Sequence, residues 1–301
     1  MFKSVSELLT ICARENKPIS AVMLDFEVAR GAFSRAEIIN KMTDNLAIMR
    51  SSVENGLKGV LSTTGLTGGD AKLLSAYVAK GNTLSGDQVL SACARAIATN
   101  EVNAAMGIIC ASPTAGSAGT LPGVLFSIEK TLQLTEEQML GFLFTSGAFG
   151  LITANNAFIA GAAGGCQAEI GTSSAMAAAA ATEAAGGTPE QSAHAFAIAL
   201  ANMLGLVCDP VAGLVEVPCI KRNAAGASNA LIAADMALAG LVSEIPADEV
   251  IAAMYEVGVT MPVAMKETAE GGLANTPTGR AIEKRIFGCR NCPAKTGHCS
   301  C

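Results

Sequence analysis

The chain has 301 residues, 50% apolar and 15% charged, with a net charge of −6 and a pI near 5.1. That length can bury a sizeable core in one large or two small domains, and the acidic balance, with no basic run or aromatic platform, excludes a nucleic-acid surface. Trp is absent and aromatics are only 4%, so the core must be built from Ala, Leu, Ile, Val and Met, which suits closely packed helices crossing at small residues.

Met1 is followed by a polar, helix-like opening without a continuous apolar stretch or small-residue cleavage site, so no secretory leader is expected. The S/T-x-x-E/Q spacing of a capping box occurs at Ser4 and Glu7, Ser34 and Glu37, Ser85 and Gln88, Thr135 and Gln138, and Thr188 and Gln191. Pro189 reinforces the last by suiting a first helical turn. After Ser34, Ile38, Ile39, Met42, Leu46, Met49 and Val53 keep helical spacing up to an end near Asn55 and Gly56. Further helices are expected over residues 71–78, 87–98, 136–157, 171–185, 190–206, 224–241 and 247–257. Only residues 59–62 and 107–110 have β-like character, and both run into glycine-rich loops. The expectation is an all-α fold, a compact multi-helix catalytic domain over residues 1–286 with a cysteine-rich tail over residues 287–301.

Residues 138–167 carry no charge and approach the length of a bilayer span. Thr145, Ser146, Thr153, Asn155 and Asn156 lie in that run, and no Lys or Arg occurs from residue 131 to 220 to set an orientation. A buried helix fits better than a membrane span. The ten cysteines are spread through a large chain, which points to a reducing, cytoplasmic setting rather than to a disulfide framework.

Three of them, Cys166, Cys208 and Cys219, sit in glycine-rich turns at the ends of expected helices. Such turns offer backbone N–H groups and a positive partial charge to a thiolate or sulfide. Widely separated cysteines can also be plain buried thiols. Residues 62–70, S-T-T-G-L-T-G-G-D, concentrate hydroxyls and glycines; taken alone they read as a surface turn with Asp70 capping the next helix. Residues 112–119 form a second loop small enough for a ligand to approach the backbone, and Asn103 precedes it on a helix, where it could equally tie two helices together. Lys221, Arg222 and Asn223 follow Cys219 directly, as a carboxylate-binding group or a surface helix start.

The stretches STTGLTGGDA, NAAMGIICASPTAGSAGTLPG, GAAGGCQAEIG and LGLVCDPVAGLVEVPCIKRNAAGASNA resemble the alpha chain of the bacterial iron-sulfur-dependent L-serine dehydratases, in the same order and over residues 22–287. The resemblance implies a [4Fe-4S] cluster on Cys166, Cys208 and Cys219, with one iron open to a substrate oxygen. It further implies conversion of L-serine to pyruvate and ammonia without pyridoxal phosphate, as an L-serine ammonia-lyase, and a separate beta chain as partner. Ser62, Thr63, Thr64, Asn103, Ser117 and Lys221 become site candidates, the hydroxyl loops suiting the serine carboxylate. Glu169 or Asp209 could accept the Cα proton, and the sequence does not choose between them. His194, within an Ala-rich helix, is expected to pack there. L-cysteine desulfidation, or another elimination on the same scaffold, is the nearest rival reaction.

The tail, GCRNCPAKTGHCSC, carries Cys289, Cys292, His298, Cys299 and Cys301 at metal-ligand spacing and reads as a separate metal site, a redox-sensing cluster or a free end. Cys301, with its terminal carboxylate, resembles serine with sulfur for oxygen and could reach the open iron.

Overall fold

The computed structural model describes residues 2–288; Cys289, Cys292, His298, Cys299 and Cys301, and the expectations placed on them, lie outside the described residues. The described chain is all-α. Its helices are α1 (Val5–Glu15), α2 (Ile19–Ala29), α3 (Arg35–Lys58), α4 (Asp70–Val78), α5 (Asp87–Ala104), α6 (Thr120–Leu132) and α7 (Glu136–Asn156). They continue with the single turn α8 (Gly161–Gly164), then α9 (Thr172–Ala184), α10 (Pro189–Ala201), α11 (Cys219–Leu238), α12 (Ala247–Thr260) and α13 (Pro277–Phe287). A π turn, Gln167–Gly171, leads into α9.

The Ala-rich helix α9 is the hub. It is buried from Thr172 to Thr182 and packs against α6, α7, α10 and α11. Alanines at these crossings let the backbones approach closely without leaving a void. Beside it, α5 packs against α3, α4, α6 and α11. At the crossing with α3 a Cβ on Gly56 would fall on the carbonyl of Ala98, so only glycine fits there. The uncharged run becomes the buried helix α7, whose Ser146 and Thr153 hydroxyls donate to carbonyls one turn back while Thr145 donates to Glu183. No helix among the described residues is long and apolar enough to cross a membrane. No disulfide forms among the described cysteines, which are Cys12, Cys93, Cys110, Cys166, Cys208 and Cys219.

Reciprocal capping boxes form at Ser34, Thr135 and Thr188. At Ser4 only half forms, because the Glu7 carboxylate takes the Lys3 N–H instead. The Ser85 box does not form: α5 starts after Gly86, and Gln88 reaches across to the Ser127 carbonyl and the Thr131 hydroxyl. The starts of α1, α2 and α4 are also capped from a distance. Asp248 accepts from the N–H groups of Val5 and Ser6, Glu183 from those of Ile19 and Ser20, and Glu101 from those of Asp70 and Ala71. Asp70 is thus the first residue of α4 rather than its cap, which is Gly69.

The β-like segments form no strand; the described residues contain only isolated bridges, antiparallel between Leu61 and Gly68 and parallel between Cys208 and Lys266. His194 packs as expected, its Nδ1 accepting from the Ser243 N–H.

Candidate active site

Cys166 closes the turn after α8 and opens the π turn before α9. Its neighbour Gln167, fully buried, fixes that turn to the loop carrying Cys208: its N–H donates to Leu206 O, its side-chain oxygen accepts from the Gly205 N–H and its amide donates to Met254 O. Cys208 is held from the other side by backbone hydrogen bonds to Met265 O and from Glu267 N. Two segments forty residues apart are thereby clamped together, and the Sγ atoms of Cys166 and Cys208 and a carboxylate oxygen of Glu169 all lie within 4.8 Å of one another.

All three of these side chains are buried. Thr114, from the second loop, donates to Glu169 Oε1 at 2.8 Å. A Cβ on Gly161 would sit 2.8 Å from Cys208 Sγ and 3.0 Å from Glu169, and one on Gly116 3.2 Å from Glu169, so glycine at these two positions makes room for the group. Cys219, also buried, is the first residue of α11 and lies outside the 4.8 Å group. It nevertheless faces the same charges, those of Cys166, Glu169 and Arg222. Donors bound to different irons of one cluster need not crowd as the ligands of a single ion do.

The electrostatics are those of a buried anionic pocket with one cation. The hydrogen bond with Cys208 holds the Cys166 thiol below its ordinary value, helped by the Arg222 guanidinium. Cys208 is pushed up by the same hydrogen bond and by burial; burial also pushes up Cys219 and Glu169. Arg222, one turn after Cys219, pairs with Asp209 at 2.8 Å and donates to Val207 O at 2.8 Å. Asp209 also accepts from the Leu273 N–H at 2.7 Å. It is therefore occupied as the partner of Arg222, while Glu169 stands among the thiols.

The two loops converge on α11. Asn223 donates to Gly116 O at 2.7 Å and accepts from the Gly119 N–H at 3.1 Å, and Lys221 pairs with Asp70 at 3.3 Å on an exposed surface. Ser117 is fully buried and braces its own loop, donating to Ser112 O and accepting from Thr114 N. Asn103 is half-buried in the last turn of α5; the buried amide that ties α5 to the second loop is Asn100, whose Nδ2 donates to Gly116 O at 3.0 Å. Thr63 donates its backbone N–H to Ala104 O.

Sequence reasoning overlooked Glu216. It is buried and accepts from Thr64 Oγ1 at 2.7 Å and Thr67 Oγ1 at 2.5 Å. Ser62 lies 3.1 Å from Thr64, so the first loop's hydroxyls are organised around this carboxylate. The available signal was a single acid in the otherwise uncharged run over residues 210–220, just before Cys219.

Residues 14–274 match the family model described as serine dehydratase alpha chain. The chain belongs to that family. It is 62% identical over 288 residues to a probable L-serine dehydratase alpha chain of Bacillus subtilis, covering 96% of each chain. To the L-serine dehydratase alpha chain of Peptoniphilus asaccharolyticus it is 41% identical, covering 94% of this chain and 98% of that one. Against an L-serine dehydratase of Streptomyces coelicolor the identity is 38%, covering 91% of this chain but only 60% of the relative. Membership of the serine dehydratase alpha chain family supports serine dehydration as the activity, and the buried group of Cys166, Cys208 and Glu169 could hold a metal.

Proposed function

We propose that this chain is the catalytic alpha chain of an L-serine ammonia-lyase that releases pyruvate and ammonia, with a [4Fe-4S] cluster held by Cys166, Cys208 and Cys219. The observation that carries the reading is the meeting of Cys166 and Cys208 with Glu169 in one buried pocket. The donor chemistry fits iron and sulfide: the soft ligands are thiols, a cationic guanidinium offsets their charge, and glycine at residue 161 leaves space beside Cys208. Bound there, the cluster supplies a Lewis acid for the departing hydroxyl oxygen.

The chain's own residues do the rest. Glu169, positioned by Thr114, is the acceptor for the Cα proton; Asp209, engaged by Arg222 and the Leu273 N–H, serves to hold Arg222 in place. The N–H groups of residues 115–117 have no acceptor among the described residues and lie in the loop whose Gly116 borders Glu169. Successive free N–H groups of this kind suit the substrate carboxylate. Thr64 and Thr67 have committed their protons to Glu216 and so are poor donors to a carboxylate, which favours the second loop for that task.

This chain covers only 60% of the Streptomyces coelicolor relative, and we assign the remaining length here to a separate beta chain. The free thiols among the described residues suit a cytoplasmic enzyme. Anaerobically reconstituted alpha chain, assayed with that partner, is expected to release pyruvate from L-serine faster than from L-threonine or L-cysteine. Sulfide release from L-cysteine as the dominant reaction would overturn the assignment in favour of a desulfidase.

A further inference from the structure

The first loop contains a polar network with a fixed direction. An ionised carboxylate only accepts, so the protons of Thr64 and Thr67 must point to Glu216. With the Thr64 proton spent, the 3.1 Å contact between Ser62 and Thr64 must be donated by Ser62. Ser62 in turn accepts the Thr67 N–H at 3.2 Å, and Thr64 accepts the Leu66 N–H at 3.1 Å. The hydroxyl protons of Ser62, Thr64 and Thr67 therefore run inward, and what these three groups offer a ligand is acceptor capacity. Thr67 Oγ1 keeps lone pairs that no donor among the described residues uses, and Thr64 and Thr67 are only partly buried, so solvent reaches them.

The charge is equally one-sided. Glu216 is buried yet forms no ion pair among the described residues: Lys221 is engaged by Asp70 and Arg222 by Asp209. A buried carboxylate satisfied by two hydroxyls but by no cation favours a positive group beside those hydroxyls. Glu216 stands three residues before Cys219, and its carbonyl accepts from the Ile220 N–H, which ties the network to the start of α11.

We propose that Glu216, through Thr64 and Thr67, forms the subsite that binds the α-ammonium group of the substrate and so selects amino acids over hydroxy acids of the same shape. The assignment rests on the reading that the substrate is an amino acid, and it separates two tasks in space: N–H groups of the second loop receive the carboxylate, while the acceptors of the first receive the ammonium. A charge-assisted hydrogen bond to an ammonium in such a place is among the stronger kinds.

The test uses the reconstituted holoenzyme with its partner chain and two ligands that differ only at this group, L-serine and L-glycerate, the first read by its KM and the second by its inhibition constant against serine turnover. Glu216→Gln is expected to weaken L-serine by about ten- to a hundredfold, the loss of a charged hydrogen bond, while L-glycerate affinity, iron content and the absorption spectrum stay as in the wild type. Thr67→Val, which keeps Glu216 in place, is expected to give a smaller loss with the same selectivity, and it decides the matter if Glu216→Gln does not fold. Equal weakening of both ligands, or none, overturns the subsite while leaving serine dehydration standing. A dependence of serine affinity on added Na⁺ or K⁺ that disappears in Glu216→Gln also overturns it, assigning the acceptors to an inorganic cation. If the wild type binds no serine at all, the proposed function itself fails, and the subsite with it.

Discussion

Cys166→Ser and Cys208→Ser are each expected to lose the iron and sulfide taken up on anaerobic reconstitution and to lower serine turnover at least about a hundredfold. Even the outer partners of metal ligands cost ten- to a hundredfold in affinity or activity when removed, and these thiols are proposed as ligands themselves. Both lie in the pocket with Glu169, within 4.8 Å of one another, so serine in place of either removes a soft donor without removing bulk. Cys219→Ser is expected to behave alike. Cys12 and Cys93 provide the contrast: burial pushes both thiols up to about 11, no metal-ligating group forms around either among the described residues, and their serine variants are expected to keep full iron content. Iron and acid-labile sulfide per chain, measured beside the visible spectrum, separate the two sets.

Arg222→Met is the second large effect, and it acts on stability and cluster retention together. The Arg222 and Asp209 side chains are only 16% and 4% exposed, and their ion pair joins the Cys219 helix to the Cys208 loop. Removing one partner leaves a buried carboxylate uncompensated, a loss of about 3–5 kcal/mol in comparable pairs. The same change withdraws the guanidinium that helps hold the Cys166 thiol below its ordinary value. The expected result is a lowered denaturation midpoint together with faster loss of the cluster chromophore on exposure to air. Arg222→Lys is expected to recover only part of either, because a single ammonium does not reproduce a planar fork that reaches Asp209 and Val207 O at once. A variant with wild-type stability and wild-type cluster decay would remove Arg222 from the account.

The helical character of the chain was legible because local signals carry it. Ser34, Thr135 and Thr188 cap their own helices through residues three positions away, and the spacing from Ile38 to Val53 needs no tertiary partner to be read. The helices that went unanticipated, α2, α6 and α13, differ in this respect. Helix α2 starts at Pro18 with its N–H groups on Glu183, and α6 emerges from a glycine-rich loop whose Gly119 N–H is held by Asn223. Helix α13 has a local signal, Thr276 capping Gly279 behind Pro277, that could have been found. Residues 190–206 were read as one helix, but α10 stops at Ala201 because the following turns must bring Gly205 and Leu206 to Gln167.

The site divides along the same line. That Cys166 and Cys208 belong together was legible only through resemblance, since the spacing of two cysteines 42 residues apart carries no geometry. What joins them in space is Gln167, a residue the sequence gives no reason to single out. Glu169 and Asp209 were both candidates to orient a group or accept the proton, and the structure shows that Asp209 already has a cation in Arg222. Glu216 escaped notice because a single acid between apolar residues looks unremarkable until Thr64 and Thr67 are seen to point at it.

The central claim is that three thiols of this chain hold a four-iron cluster with one iron left for substrate. Mössbauer spectroscopy of the ⁵⁷Fe-reconstituted protein, recorded before and after addition of L-serine, tests it directly. The account predicts about four irons per chain in a diamagnetic [4Fe-4S]²⁺ cluster, with one iron site alone shifting when serine is added. A spectrum of mononuclear iron, or a cluster in which no single site responds to serine, would contradict it.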